Sequence, residues 1–155
     1  MKAYADTNLF AAYLLPTAHS ERCFELLEGI DPGGFPPLPV TRLLRLETIN
    51  ALQRLVFEAA ADARLARVSR EMALVAELEF DELTVEGDLW VPTEEPTEEV
   101  DAIFVNLVHR HTARHGFRTY DLLHVATALA LECDTFWSFD ARAKKLAKLE
   151  GLKTN

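Results

Sequence analysis

Short apolar runs alternate along this chain with longer stretches in which apolar residues recur every three or four positions, and that alternation predicts its elements. Residues 2–5 read as a first strand. Asp6, Thr7 and Asn8 follow as cap-type residues and open a helix continuing over residues 9–15. A second helix is predicted over 18–28, and the stretch 31–37 is a loop because its glycines and prolines sustain neither regular element. Residues 38–40 read as a strand, and Thr41 as the cap of a long helix over 42–60. Residues 62–80 read as a further helix, in which Leu65, Val68, Met72, Val75 and Leu78 have the spacing of one buried stripe. A short strand is predicted at 89–91. The acidic run 93–99 suits the start of a helix through Val100, Ile103, Phe104, Leu107 and Val108, since carboxylates favour the positive end of the helix dipole. Gly116 punctuates the chain, residues 121–131 form an almost wholly apolar helix, 135–138 a strand with Phe136 and Trp137, and Asp140 opens a last helix. Short apolar strands alternating with helices predict an α/β fold, a three-layer α/β/α arrangement with a short central parallel sheet.

At 155 residues without a repeat or linker, residues 1–155 are expected to form a single domain large enough for a continuous apolar core. The formal charge of -9 repels nucleic acid at long range. An enzyme that handles phosphodiesters through divalent cations nevertheless concentrates carboxylates at its centre, so acidity alone discriminates nothing. Cys23 and Cys133 have neither a CxxC spacing nor histidines at zinc-site intervals, which suits a reducing cytoplasm. Lys2, Asp6 and Asn8 interrupt the first apolar stretch, so no secretory signal is evident, and no run of about 18 apolar residues is present to cross a bilayer. A cytoplasmic protein without membrane association is expected.

Ligands of open parallel sheets gather beyond the carboxyl ends of the strands, so acids at strand-to-helix turns carry most interest. Asp6 directly follows the first predicted strand and Asp140 closely follows the strand at 135–138, which predicts that both face one crevice. Taken singly, each is explained as a helix cap. Asp121 heads a helix so apolar that it belongs inside the protein, where a carboxylate needs a partner. Glu47 has Leu43 and Leu44 one turn before it and Ala51 one turn after. An ion pair with Arg54, Arg118 or Arg142 is its ordinary explanation, and a metal ion would satisfy it better. Four acids on separate elements, without Cys, supply the hard oxygen ligands suited to Mg²⁺ or Mn²⁺. Such ions activate water and neutralise a scissile phosphate, so phosphodiester hydrolysis is the expected chemistry.

Four segments resemble the motifs of the PIN-domain family, and more narrowly of its VapC-type toxins. They are Ala5-Asp6-Thr7-Asn8, Leu46-Glu47-Thr48-Ile49, Tyr120-Asp121-Leu122-Leu123-His124-Val125-Ala126-Thr127-Ala128 and Trp137-Ser138-Phe139-Asp140. By this resemblance Asp6, Glu47, Asp121 and Asp140 are the catalytic, metal-binding quartet, Thr7 and Ser138 are hydroxyl neighbours of the site, and Asn8 orients it. The resemblance implies a metal-dependent endoribonuclease, commonly the toxin of a toxin–antitoxin pair, with RNA as substrate, a small antitoxin as partner and frequent homodimerisation. Cys133 stands where a small glycine is common in the family, and the loop at 31–37 is unusually rich in Pro and Gly. Phe10, Tyr13, Leu14 and Phe24 read as core, with a partner groove as the other reading.

The run His109-Arg110-His111-Thr112-Ala113-Arg114-His115-Gly116-Phe117-Arg118 holds two readings open: RNA phosphate contacts, above all by Arg114 and Arg118, or cations that complement a helix carboxyl end. Arg142, Lys144, Lys145 and Lys148 read as a solvated face. Two rivals differ in kind. A haloacid-dehalogenase-type phosphotransferase requires a second acid where Asn8 stands and leaves Glu47 without a role. A catalytically inactive PIN-fold module that binds protein or RNA keeps the fold and loses the activity.

Overall fold

The predicted succession of short strands and helices is present in a computed structural model that describes residues 2–28 and 36–155. Most of the predicted loop at 31–37 lies outside the described residues. Strand β1 (Ala3–Ala5) leads into helix α1 (Thr7–Leu14), followed by α2 (Ser20–Glu28), β2 (Leu38–Val40) and the long α3 (Arg42–Ala61). Thr41 caps α3 as its residue type predicts, its Oγ1 accepting from Leu44 N at 3.4 Å. Helix α4 (Arg70–Glu86) then precedes β3 (Trp90–Pro92) and α5 (Thr97–Leu107), which passes into a π-helical turn over Val108–Thr112 and the short α6 (Ala113–His115). Gly116 ends that run with φ of +64°, a conformation in which glycine avoids a Cβ clash. Helix α7 (Thr119–Ala130), β4 (Thr135–Trp137), α8 (Ala141–Leu149) and β5 (Lys153–Thr154) complete the chain. The strand β5 has no counterpart in the sequence reading.

The chain forms two compact units, one taking it up to Asp6 together with Glu94–Asn155 and the other Thr7–Thr93. In the first, the parallel strands run in the order β1-β4-β5, with Tyr4 beside Phe136 and Ala5 beside Trp137. Helix α7 packs on α5, α8 and β4. In the second, β2 and β3 form a separate parallel pair with Leu38 beside Trp90, and α3 packs on α1 and α4. The fold is thus helix-rich α/β with short parallel strands, as the alternation predicted.

Helix α4 departs from expectation in position and in face. It begins at Arg70, where the Ser69 hydroxyl accepts from Met72 N at 3.2 Å, and not at 62. Asp62 instead terminates α3, its N–H donating to Glu58 O, and its carboxylate is clasped by Arg64 at 2.7 Å. The inward face of α4 carries Ala73, Ala76, Phe80 and Thr84. Leu65, Met72, Val75 and Leu78, expected inside, are exposed at 46%, 39%, 63% and 65%. Small residues let a helix approach its neighbour closely, so Ala73 and Ala76 occupy the face that the bulkier residues suggested for themselves. They join Leu15, Leu52 and Val68 in one buried cluster. Of the four residues read as core on the first helices, Phe10 is fully buried, whereas Phe24 is 45% exposed.

Two helices end in the same 6→1 and 5→2 pattern with different residues at the left-handed position. After α8, Gly151 (φ +83°) donates to Lys148 O at 3.1 Å and Leu152 N donates to Ala147 O at 2.9 Å. After α7, Glu132 N donates to Leu129 O and Cys133 N to Ala128 O, both at 2.9 Å, yet Glu132 has φ of +54°. A side chain there costs about 1–2 kcal/mol, partly offset by the greater flexibility glycine gives the unfolded chain. Glu132→Gly is therefore expected to stabilise the protein by about 0.5–1 kcal/mol, read as a rise in the urea midpoint at constant slope.

Candidate active site

Register alone puts Asp6 and Ser138 side by side. Ala5 is opposite Trp137 across two parallel strands, so the next residue on each strand emerges at the same carboxyl edge. The backbone confirms it, with Asp6 N donating to Trp137 O at 3.0 Å. Ser138 Oγ donates to Asp6 Oδ2 at 2.5 Å and accepts from Asp140 N at 2.9 Å, so one fully buried hydroxyl links the first acid to the last. Asp140 is also the cap of α8, its Oδ1 accepting from Arg142 N at 2.7 Å and Ala143 N at 3.3 Å. The capping explanation holds for this residue, and its backbone N–H also ties it to Ser138.

Asp121 enters from the first turn of α7, where its Oδ2 accepts from Arg118 N at 3.2 Å. Burial raises its pKa above the ordinary aspartate range; the Arg118 N–H opposes the shift, the Asp140 charge adds to it, and the Arg118 and Arg142 guanidiniums oppose it. Neither Asp121 nor Asp140 is in an ion pair among the described residues. This unit therefore holds Asp6 and Asp121, exposed at 5% and 9%, with the charge of Asp140 acting on Asp121.

In the other unit Glu47 is held by a hydroxyl, Thr7 Oγ1 donating to its Oε2 at 2.8 Å. Helix α3 presents Glu47 beside the fully buried Leu44 and Thr48, and α1 presents Thr7 from its first position. Arg54, one of the cations weighed as a partner for Glu47, pairs instead with Glu58 at 2.9 Å. Thr7 directly follows Asp6 in the chain. Asn8 is half-buried on α1.

The basic run is divided by the structure. Arg110 and His111 contact Glu150 at 3.0 Å and 2.5 Å, so these two side chains are held at the end of α8. Arg114 and Arg118 are exposed, and Arg118 also supplies the amide that holds Asp121. Sequence reasoning assigned no role to Tyr4 and His124, whose OH and Nδ1 share a buried hydrogen bond of 2.8 Å. Tyr4 precedes Asp6 by two residues on β1, and His124 follows Asp121 by one turn on α7, so the pair ties together the two elements that carry these acids. The signal available in the sequence was a single histidine inside an otherwise apolar helix.

Among the described residues no three His, Cys, Asp or Glu side chains stand as a group able to hold a metal ion. Each acid is engaged by hydrogen bonds from the protein. The donor chemistry nonetheless fits a hard divalent cation: Asp6, Asp121, Asp140 and Glu47 offer only oxygens, and burial makes the Asp121 charge costly without a counter-charge. No described helix is long and apolar enough to cross a membrane.

A family model described as PIN domain matches residues 3–149. No curated protein is significantly similar in sequence. Solved structures with a similar fold include Mycobacterium tuberculosis VapC20, described as a Sarcin-Ricin loop cleaving toxin, at 14% identity and a TM-score of 0.64 over 93% of this chain and 94% of that one. VapBC-1 from nontypeable Haemophilus influenzae is similar at 13% identity and a TM-score of 0.63, over 100% of this chain and 97% of that one. FitAcB from Neisseria gonorrhoeae is similar at 18% identity and a TM-score of 0.58, over 98% and 95%.

Proposed function

Because this chain belongs to the PIN domain family, we propose that it is a metal-dependent endoribonuclease acting as a single domain over residues 1–155. The observation that carries the reading is the Asp6–Ser138–Asp140 chain of hydrogen bonds at the carboxyl edge of two parallel strands, with the buried Asp121 raised in pKa by burial and by the Asp140 charge. In this reading Asp6, Glu47, Asp121 and Asp140 hold Mg²⁺ or Mn²⁺, which when bound activates water and neutralises the scissile phosphate. Ser138 fixes the Asp6 carboxylate and the start of α8, and Thr7 fixes Glu47. Asn8 orients the same region, and Arg114 and Arg118 meet RNA phosphates.

The similarity of fold to VapC20 and to VapBC-1 supports the toxin of a toxin–antitoxin pair with a small antitoxin as partner; a homodimer in the cytoplasm completes the reading. The test is cleavage of a mixed RNA pool by the wild type and by Asp6→Asn in Mg²⁺, Mn²⁺ or EDTA. Wild-type cleavage that needs the ion and falls at least a hundredfold in the variant is expected. Equal cleavage by both proteins removes the catalytic assignment, and cleavage by neither favours the inactive binding module.

A further inference from the structure

The cations of this acidic protein are unevenly placed. Residues 109–118 and 141–149 contain seven of its sixteen Lys and Arg and none of its twenty-five Asp and Glu. The fold joins the two stretches at Lys145, whose Nζ lies 3.3 Å from His115 Nδ1. Burial, with Lys145, Arg114 and His111 around it, holds His115 below the ordinary histidine range, so at neutral pH its ring is an acceptor for the Lys145 ammonium. Glu150 takes up Arg110 and His111. Lys144, Lys145 and Lys148 are in no ion pair among the described residues. These three lysines, with Ala141 and Leu149, line one open concavity of about 460 Å³.

Three ammoniums gathered without an ion-pair partner among the described residues repel one another, and an anion in the concavity offsets that repulsion. Their place on α8 indicates which anion. Asp140 caps the helix, and Lys144 and Lys148 follow it at intervals of four residues, so these lysines step away from the candidate active site by about 6 Å at each interval along one flank. A single point anion uses one such position, whereas a polyanion running along the helix uses them in succession. We propose that Lys144, Lys145 and Lys148 form a phosphate-binding track for the RNA strand on its way to or from Asp140, with His115 positioning Lys145. This rests on the ribonuclease reading and adds the surface that holds the substrate where the net charge repels it.

The test is binding of a fluorescein-labelled single-stranded RNA 15-mer to the full chain in EDTA, by anisotropy over a range of KCl. Wild type is compared with Lys144→Ala/Lys145→Ala/Lys148→Ala and with a charge control, Arg22→Ala/Arg54→Ala/Arg67→Ala. Each phosphate contact contributes about 0.7 to the salt slope for a single strand, so the lysine variant should bind more weakly with a slope flattened by about 2, and the control should keep the wild-type slope. In Mg²⁺ or Mn²⁺ the lysine variant should raise KM and leave kcat unchanged. Unaltered RNA binding by the lysine variant overturns the track, as does an equal loss in the control. Displacement of the RNA by inorganic phosphate or polyglutamate at equal ionic strength also overturns it, assigning the concavity to a free anion or an acidic protein. Lysine-dependent RNA binding without cleavage by the wild type removes the ribonuclease reading and leaves the track standing. Cleavage with KM untouched by the lysine variant does the reverse.

Discussion

Asp121→Asn is expected to abolish RNA cleavage and, in EDTA at neutral pH, to leave the protein more stable than the wild type. Cleavage should fall by at least a hundredfold, because the amide brings no charge to a cation that the reading assigns partly to this residue. Stability should move the other way. Burial and the Asp140 charge raise the pKa of Asp121 in the folded protein, so the folded form holds its proton to higher pH than the unfolded chain does. Raising the pH from about 4, the unfolded value, through the folded value therefore draws the protein toward unfolding, and above that interval Asp121 subtracts stability. The amide cannot ionise, and its oxygen still accepts from Arg118 N. The difference in melting temperature should thus be absent below about pH 4 and open as the pH rises. Adding Mg²⁺ should raise the melting temperature of the wild type more than that of the variant. A variant that melts below the wild type at neutral pH, or that still cleaves, contradicts the assignment.

Trp90→Ala carries the largest expected cost in stability, about 3–5 kcal/mol. Trp90 is fully buried on β3, and its ring meets Phe10 and Tyr13 edge-on at 5.2 Å each and Phe80 at 5.8 Å. Its Nε1 donates to Phe80 O at 3.4 Å. The alanine variant leaves a cavity between α1, α4 and β3 and strips three aromatic contacts at once. Urea unfolding followed by far-ultraviolet circular dichroism reads the loss, and a cost below about 1 kcal/mol would mean that the core of this unit is centred elsewhere.

The helices opened by Thr41 and Asp140 were legible to within a residue or two, whereas Asp62, read as a helix start, ends α3. Thr41 and Asp140 cap the helices they were expected to cap, and the strand Leu38–Val40 sits where its apolar run lies. The juxtaposition of Asp6 and Asp140 through Ser138 at the candidate site was legible for the same reason, because a carboxylate that follows a buried strand leaves a local mark. Three features had no such mark. The inward face of α4 rests on Ala73 and Ala76, and a reading weighted by bulk turns toward Met72, Val75 and Leu78. The strand β5 is two residues long, too short for any periodicity. The bond between Tyr4 and His124 joins positions 120 residues apart, and either residue alone reads as ordinary packing.

The π-helical turn over Val108–Thr112 has a consequence for how this region tolerates change. Each residue of an α-helix turns the next by about 100°, and a π turn absorbs an extra residue without carrying that rotation forward. Arg114 and His115 therefore keep the heading of the preceding helix although the turn holds one residue more than an α turn. Exchanges of side chain within 108–112 leave the heading of the following turn intact. Removal of one residue there relaxes the turn to an α turn and keeps that heading, whereas a further inserted residue swings it by about 100° and separates His115 from Lys145.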